Sequence, residues 1–111
     1  MSAKVTYTAL FEREAKRLAK KYPSLVQDII KLVDALEKDP EQGTPLGKSL
    51  YKIRIAIESK GKGKSGGARV ITYVLFSRNT VYLTSIYDKS EQANVSTLVL
   101  LKILKEEGIV P

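Results

Sequence analysis

The chain has 111 residues, 43% of them hydrophobic and 28% charged, the balance of one globular domain spanning residues 1–111 rather than of a disordered segment. A formal net charge of +7, from 19 Lys+Arg against 12 Asp+Glu, favours a polyanionic partner such as nucleic acid, a ribosome or an acidic protein. The absence of histidine and cysteine excludes imidazole acid–base chemistry, metal sites built on either residue, and disulfides.

In chain order, "KVTYTAL" alternates well enough to predict a first strand over Lys4 to Thr8. From Ala9 the period becomes helical, with Phe11, Ala15, Leu18 and Tyr22 on one face and Arg13, Lys16, Arg17, Lys20 and Lys21 mostly around the other. Glu12 and Glu14 come early and the lysines late, the order that suits the helix dipole. Pro23 stops this helix. Ser24 with Gln27 three residues on reads as a capping box for a second, whose apolar stripe is Val26, Ile29, Ile30, Val33 and Leu36. "KDPEQGTP" ends it.

The second half has the two-residue period of strands. In "LYKIRIAIESK", Tyr51, Ile53, Ile55 and Ile57 share one face, and Lys52, Arg54 and Glu58 the other. "ARVITYVLF" is apolar on both parities, as a central strand is. "SRNT" reads as a tight turn and "VYLTSIYD" as a further strand, so the three form an antiparallel meander. "TLVLLKILKEEG" closes the chain as a short helix ending near Gly108, apolar over more of its circumference than one core face hides. No apolar run approaches the roughly 18 residues that span a bilayer. "MSAKVTYTAL" lacks an apolar segment of signal-peptide length, so no membrane association and a cytoplasmic location are expected.

The run "SKGKGKSGGARVITYV" raises the question of a phosphate-binding P-loop, because Gly-Lys-Ser occurs at Gly63-Lys64-Ser65 and at Gly47-Lys48-Ser49. That motif needs a glycine five residues earlier and a helix directly after. Glu58 and Gln42 stand at those positions, and a strand follows in both cases, so the P-loop is excluded. Two readings remain. One is a flexible connector kept soluble by its lysines. The other is the mobile rim of a phosphodiester site. Pairing of the flanking strands brings Lys52, Arg54 and Arg69 together, and Lys60, Lys62 and Lys64 then hang over the same edge as RNA- or ribosome-binding cations.

The segments "YKIRI", "GKSGGARVITYV" and "YLTSIYDKSE", in this order and with "F…EAKRLAKKYP" upstream, resemble the RelE/HigB-like toxins of type II toxin–antitoxin systems. The resemblance covers nearly the whole chain. It implies an α+β fold: a small, mainly antiparallel sheet with an N-terminal helical hairpin packed on one face and a short C-terminal helix. It also implies ribosome-dependent endoribonuclease activity on messenger RNA, without metal or cofactor, held in check by a cognate antitoxin of helix-turn-helix type. Matched residue by residue, the family's basic strand falls on Lys52 and Arg54, its central-strand arginine on Arg69, and the cation after its last strand on Lys89. The chain departs from the pattern in two places. Some RelE toxins carry arginine where Lys89 stands, and a catalytic tyrosine of the family aligns near Val95. Tyr87 and Tyr73 are the candidate substitutes.

The chemistry so implied is attack of the neighbouring 2′-OH on the phosphodiester. Arg54 and Arg69 are suited to the phosphate because a guanidinium stays charged and binds two oxygens. Lys52 is a candidate for proton transfer, with Lys89 or Tyr87 assisting the leaving 5′ oxygen. Two alternatives share the fold: a ParE-like toxin that poisons gyrase without nuclease chemistry, and a degenerate toxin that only binds its antitoxin as a co-repressor.

Overall fold

The computed structural model describes residues 2–110. Strand β1 (Lys4–Tyr7) leads into helix α1 (Ala9–Lys21) and helix α2 (Leu25–Lys38). Strands β2 (Thr44–Gly47), β3 (Leu50–Ile55), β4 (Ala68–Leu75) and β5 (Thr80–Asp88) follow, and helix α3 (Thr97–Glu106) ends the fold. The five strands form one sheet in the order β1-β5-β4-β3-β2, with β1 parallel to β5 and the other pairs antiparallel. β1 and β2 therefore sit on opposite edges, and the helical hairpin that joins them spans one face of the sheet.

Alternation along the strands sorts the core into two layers. Ile53, Ile55, Val70, Val74 and Val81 join Leu18, Leu25 and Leu36 of the hairpin in the larger cluster. Leu50, Ile71 and Tyr87 face the other way and are covered by Leu100 and Leu104 of α3. β4 feeds both layers, which explains why it is apolar on both parities. Leu100 and Leu104 are fully buried, and each such side chain contributes roughly 1.5–3 kcal/mol, enough to dock a ten-residue helix.

Several sequence expectations shift in detail. Thr8 lies outside β1 and caps α1, its Oγ1 accepting from the Phe11 amide. Ser24 makes no side-chain cap; its hydroxyl donates to Asp28 and accepts from the Ser59 amide instead. The buried face of α2 is Leu25, Asp28, Leu32 and Leu36, leaving Val26 and Ile30 of the expected stripe exposed. The short edge strand β2 has no counterpart in the sequence reading. Pro45 and Gly47 lie within it, residues that mark edges and bulges rather than strand interiors. β3 ends at Ile55, though Ile57 is still buried in the larger core.

Candidate nucleic-acid interface

The strand register gathers the predicted cations on the face that α3 covers in part. Arg54 stands opposite Arg69 across β3 and β4, and Arg69 opposite Tyr87 across β4 and β5. Three residues thus form one row across the sheet, with Lys52 two positions along β3 on the same face. Directly opposed like charges destabilise a sheet. Nevertheless, among the described residues no carboxylate forms an ion pair with Lys52, Arg54 or Arg69. The two guanidiniums differ in setting. Arg54 is exposed and Lys52 half-buried, whereas Arg69 is only 5% exposed.

Burial of Arg69 is made tolerable by backbone carbonyls. Its Nη1 donates to Lys64 O at 2.9 Å and to Ala68 O at 3.2 Å, and its Nη2 to Ser65 O at 3.3 Å. Arg69 therefore fastens the glycine–lysine connector from below. Gly67 lies so close to β3 that a Cβ there would collide with the Ile55 carbonyl. The need for glycine at this position is close approach, not mobility.

The start of the connector is fastened too. Glu58–Lys60 form a short 3-10 turn, whose Glu58 amide donates to the Asp28 carboxylate at 3.2 Å. Lys60, expected to face RNA, points inward: its Nζ lies 2.7 Å from the Asp88 carboxylate, with side-chain exposures of 11% and 0%. Tyr22 Oη, the Ser90 amide and the Ser90 hydroxyl also donate to Asp88. Burial alone would raise the Asp88 carboxyl, but these bonds outweigh it and hold it well below the usual carboxylate range. Burial alone would lower the Lys60 ammonium, and the hydrogen bond and charge of Asp88 raise it instead.

Lys62, Lys64 and Lys89 are exposed and form no ion pair among the described residues. The Lys89 amide donates to Gly67 O at 3.1 Å, which sets the end of β5 beside the connector. The free cations of this end are thus Lys52, Arg54, Lys62, Lys64 and Lys89, around a connector held by Arg69, Asp28 and Asp88.

Tyr87 is 2% exposed, and its hydroxyl has no hydrogen-bond partner among the described residues. Burial pushes its pKa up, against the opposing influence of Arg69. Tyr73 is half-buried, its ring tilted against Tyr82 at 6.5 Å between centroids. Val95, where the family tyrosine aligns, packs at the margin of the α3 cluster. The anchors Asp28, Asp88 and Tyr22 escape sequence reasoning. The one available signal was Asp88, a carboxylate ending an otherwise apolar strand.

Comparison with known proteins sets this geometry in context. A family model described as the RelE toxin of the RelE/RelB toxin–antitoxin system matches residues 3–106. The fold is similar to a mutant of the Escherichia coli toxin RelE in its free state, with a TM-score of 0.62 at 15% identity, covering 96% of this chain and 98% of that one. It is also similar to the isolated E. coli RelE toxin, at TM-score 0.58 and 18% identity over 95% and 99% of the two chains. The Mycobacterium tuberculosis RelBE2 toxin–antitoxin complex gives TM-score 0.58 at 15% identity, over 85% of this chain and 95% of that one.

Proposed function

The chain belongs to the RelE toxin family of toxin–antitoxin systems, and from that premise we propose that it is a ribosome-dependent mRNA endoribonuclease. A cognate antitoxin, expected to be of helix-turn-helix type, would neutralise it. The observation that carries the reading is the opposed pair Arg54 and Arg69, beside Lys52, with no carboxylate among the described residues ion-paired to them. A row of uncompensated cations on a strand pair is costly to keep and useful only to a polyanion.

In this reading the RNA 2′-OH attacks the adjacent phosphorus, the P–O5′ bond breaks, and a cyclic phosphate and a 5′-OH form. Arg54 binds the non-bridging oxygens and offsets their growing charge. Arg69 adds positive potential from beneath and holds the connector that carries Lys62 and Lys64 against the RNA backbone. Lys52, acting as the neutral amine, takes the 2′-OH proton, and Lys89, as the ammonium, protonates the leaving 5′ oxygen. Tyr87, the other candidate acid, is sealed beneath α3 in this conformation. The ribosome supplies the orientation of the message; near-ideal alignment of attack is worth roughly 7–11 kcal/mol of barrier.

Mapping RNA 5′ ends after toxin induction tests the function. Codon-phased cuts in translated messages support it. Intact messages accompanied by DNA damage would overturn it in favour of a gyrase-directed toxin.

A further inference from the structure

Beside the basic row, β3 has an uncovered edge. β2 pairs with β3 only as far as Lys52, which faces Thr44, so on the side of β3 away from β4 no strand among the described residues pairs with Ile53 to Ile55. Between that edge and α2 opens a cleft of about 310 Å³, at the lower end of the range for small-ligand sites. It is lined by the apolar Leu32 and Ile53, by Asp28 and Gln42, by the ion-paired Lys31 and Glu58, and by Arg54 and Lys64.

Asp28 is the informative residue. It is 6% exposed, and its Oδ2 accepts from the Ser24 hydroxyl at 2.8 Å and the Glu58 amide at 3.2 Å. Its Oδ1 accepts no hydrogen bond among the described residues, although an ionised carboxylate has capacity on both oxygens. Gln42 spends its Nε2 on Asp39 O at 3.1 Å, and its Oε1 accepts no hydrogen bond among the described residues. With Glu58 engaged by Lys31, the cleft therefore offers the Asp28 and Gln42 acceptors beside apolar side chains, and Arg54 and Lys64 are among its lining cations.

We propose that this cleft is a nucleobase subsite that takes a base bearing an exocyclic amine, with the attached phosphate held by Arg54 and Lys64. The proposal rests on the RNA-cleaving reading above and deepens it by assigning base selection to residues outside the basic row. Adenine, cytosine and guanine present an amino group to the Asp28 carboxylate. Uracil presents a single N–H flanked by two carbonyl oxygens, so it satisfies one acceptor and sets a carbonyl oxygen against the other. A peptide strand added to the free edge of β3 is the competing occupant. The compact cleft, its buried carboxylate and its lining cations favour the base.

The test is titration of AMP, CMP, GMP and UMP into isotope-labelled protein, followed by amide NMR. AMP, CMP and GMP should shift the signals of Gln42, Ile53 to Ala56 and Glu58. UMP should bind about tenfold more weakly, the cost of one unmatched charged acceptor. Asp28→Asn keeps an oxygen for Ser24 and Glu58 and turns an amide N–H into the cleft. It should weaken AMP and CMP about tenfold and strengthen UMP, a reversal that a merely structural role for Asp28 would not produce. Leu32→Phe, which adds bulk to the apolar lining, should abolish all the shifts.

Equal binding of the four nucleotides, shifts confined to Lys52 and Lys89, or an unchanged preference in Asp28→Asn would overturn the proposal. So would cleft signals that answer only to an antitoxin peptide. Nucleotide binding is read without cleavage, so the two readings fail separately: base selection with intact messages sinks the nuclease, and codon-phased cutting without base selection sinks the subsite.

Discussion

Arg54 and Arg69 face each other across β3 and β4 as directly paired residues, yet they do different work. Arg54 is exposed, with no ion pair among the described residues. Arg69 is buried and donates to the carbonyls of Lys64, Ser65 and Ala68. One arginine is free for a ligand, and the other holds the loop beside it.

Arg54→Ala separates charge from fold. Removing an exposed cation from a like-charged pair should leave stability within about 0.5 kcal/mol, or raise it slightly. Cleavage of ribosome-bound message should fall by about 100-fold or more. Urea unfolding and single-turnover cleavage on the same preparation give both values.

Arg69→Ala should behave differently. It leaves three carbonyls near the connector without their donor, at a cost of about 1–3 kcal/mol. Hydrogen exchange should accelerate over Gly61 to Gly67 while β5 stays protected. Arg69→Lys keeps the charge but not the planar fork, and should restore little of the protection.

How much of this was legible beforehand follows from where each signal lies. The helical hairpin, the three-strand meander and the shared face of Lys52 and Arg54 are written in local periodicity, so they were readable from residue types alone. The partners of Arg69 and Lys60 were not. Arg69 is held by nearby backbone carbonyls, which carry no residue-type signature, and Lys60 by the carboxylate of Asp88, which only the fold brings near it. Thus Lys60 reads as one more loop cation in "SKGKGK", although Asp88, distant in sequence, turns it inward. β2 was hidden because four residues containing Pro45 and Gly47 show no alternation. Ser24 looked like a capping residue because its spacing to Gln27 fits, while its hydroxyl is taken by Asp28 across one helical turn. For the candidate site as a whole, the sequence places Lys52 and Arg54 on one face of a strand without showing which of the cations are free.

Asp88 should dominate the acid limb of stability. Its carboxyl is held below the usual range in the folded chain, so its contribution is complete above the unfolded value of about 3.9 and is lost as pH falls further. Lys60 has the opposite sign: its raised pKa gives a contribution complete below about 10.4 and lost at higher pH. Asp88→Asn should cost about 3 kcal/mol at neutral pH. It should also flatten the stability profile below about pH 4, as read by urea unfolding down through that range.

Tyr87→Phe removes a buried hydroxyl that has no partner among the described residues. Stability should rise by about 1 kcal/mol. Cleavage should stay within about threefold of wild type, because loss of a working general acid costs about 100-fold or more. Lys89→Ala should show that larger loss without the gain in stability. The reverse pattern would move the proton-donor role to Tyr87 and require α3 to lift from the sheet.

The most direct measurement of the central claim is cleavage of a defined message held in the ribosomal A site. Wild type would be compared with the Lys52, Arg54 and Lys89 alanine variants. The account predicts a single codon-phased cut by wild type, leaving a cyclic phosphate and a 5′-OH, and its loss by about 100-fold in Arg54→Ala. An intact message with folded wild-type protein, or cutting by Arg54→Ala at the wild-type rate, would contradict it.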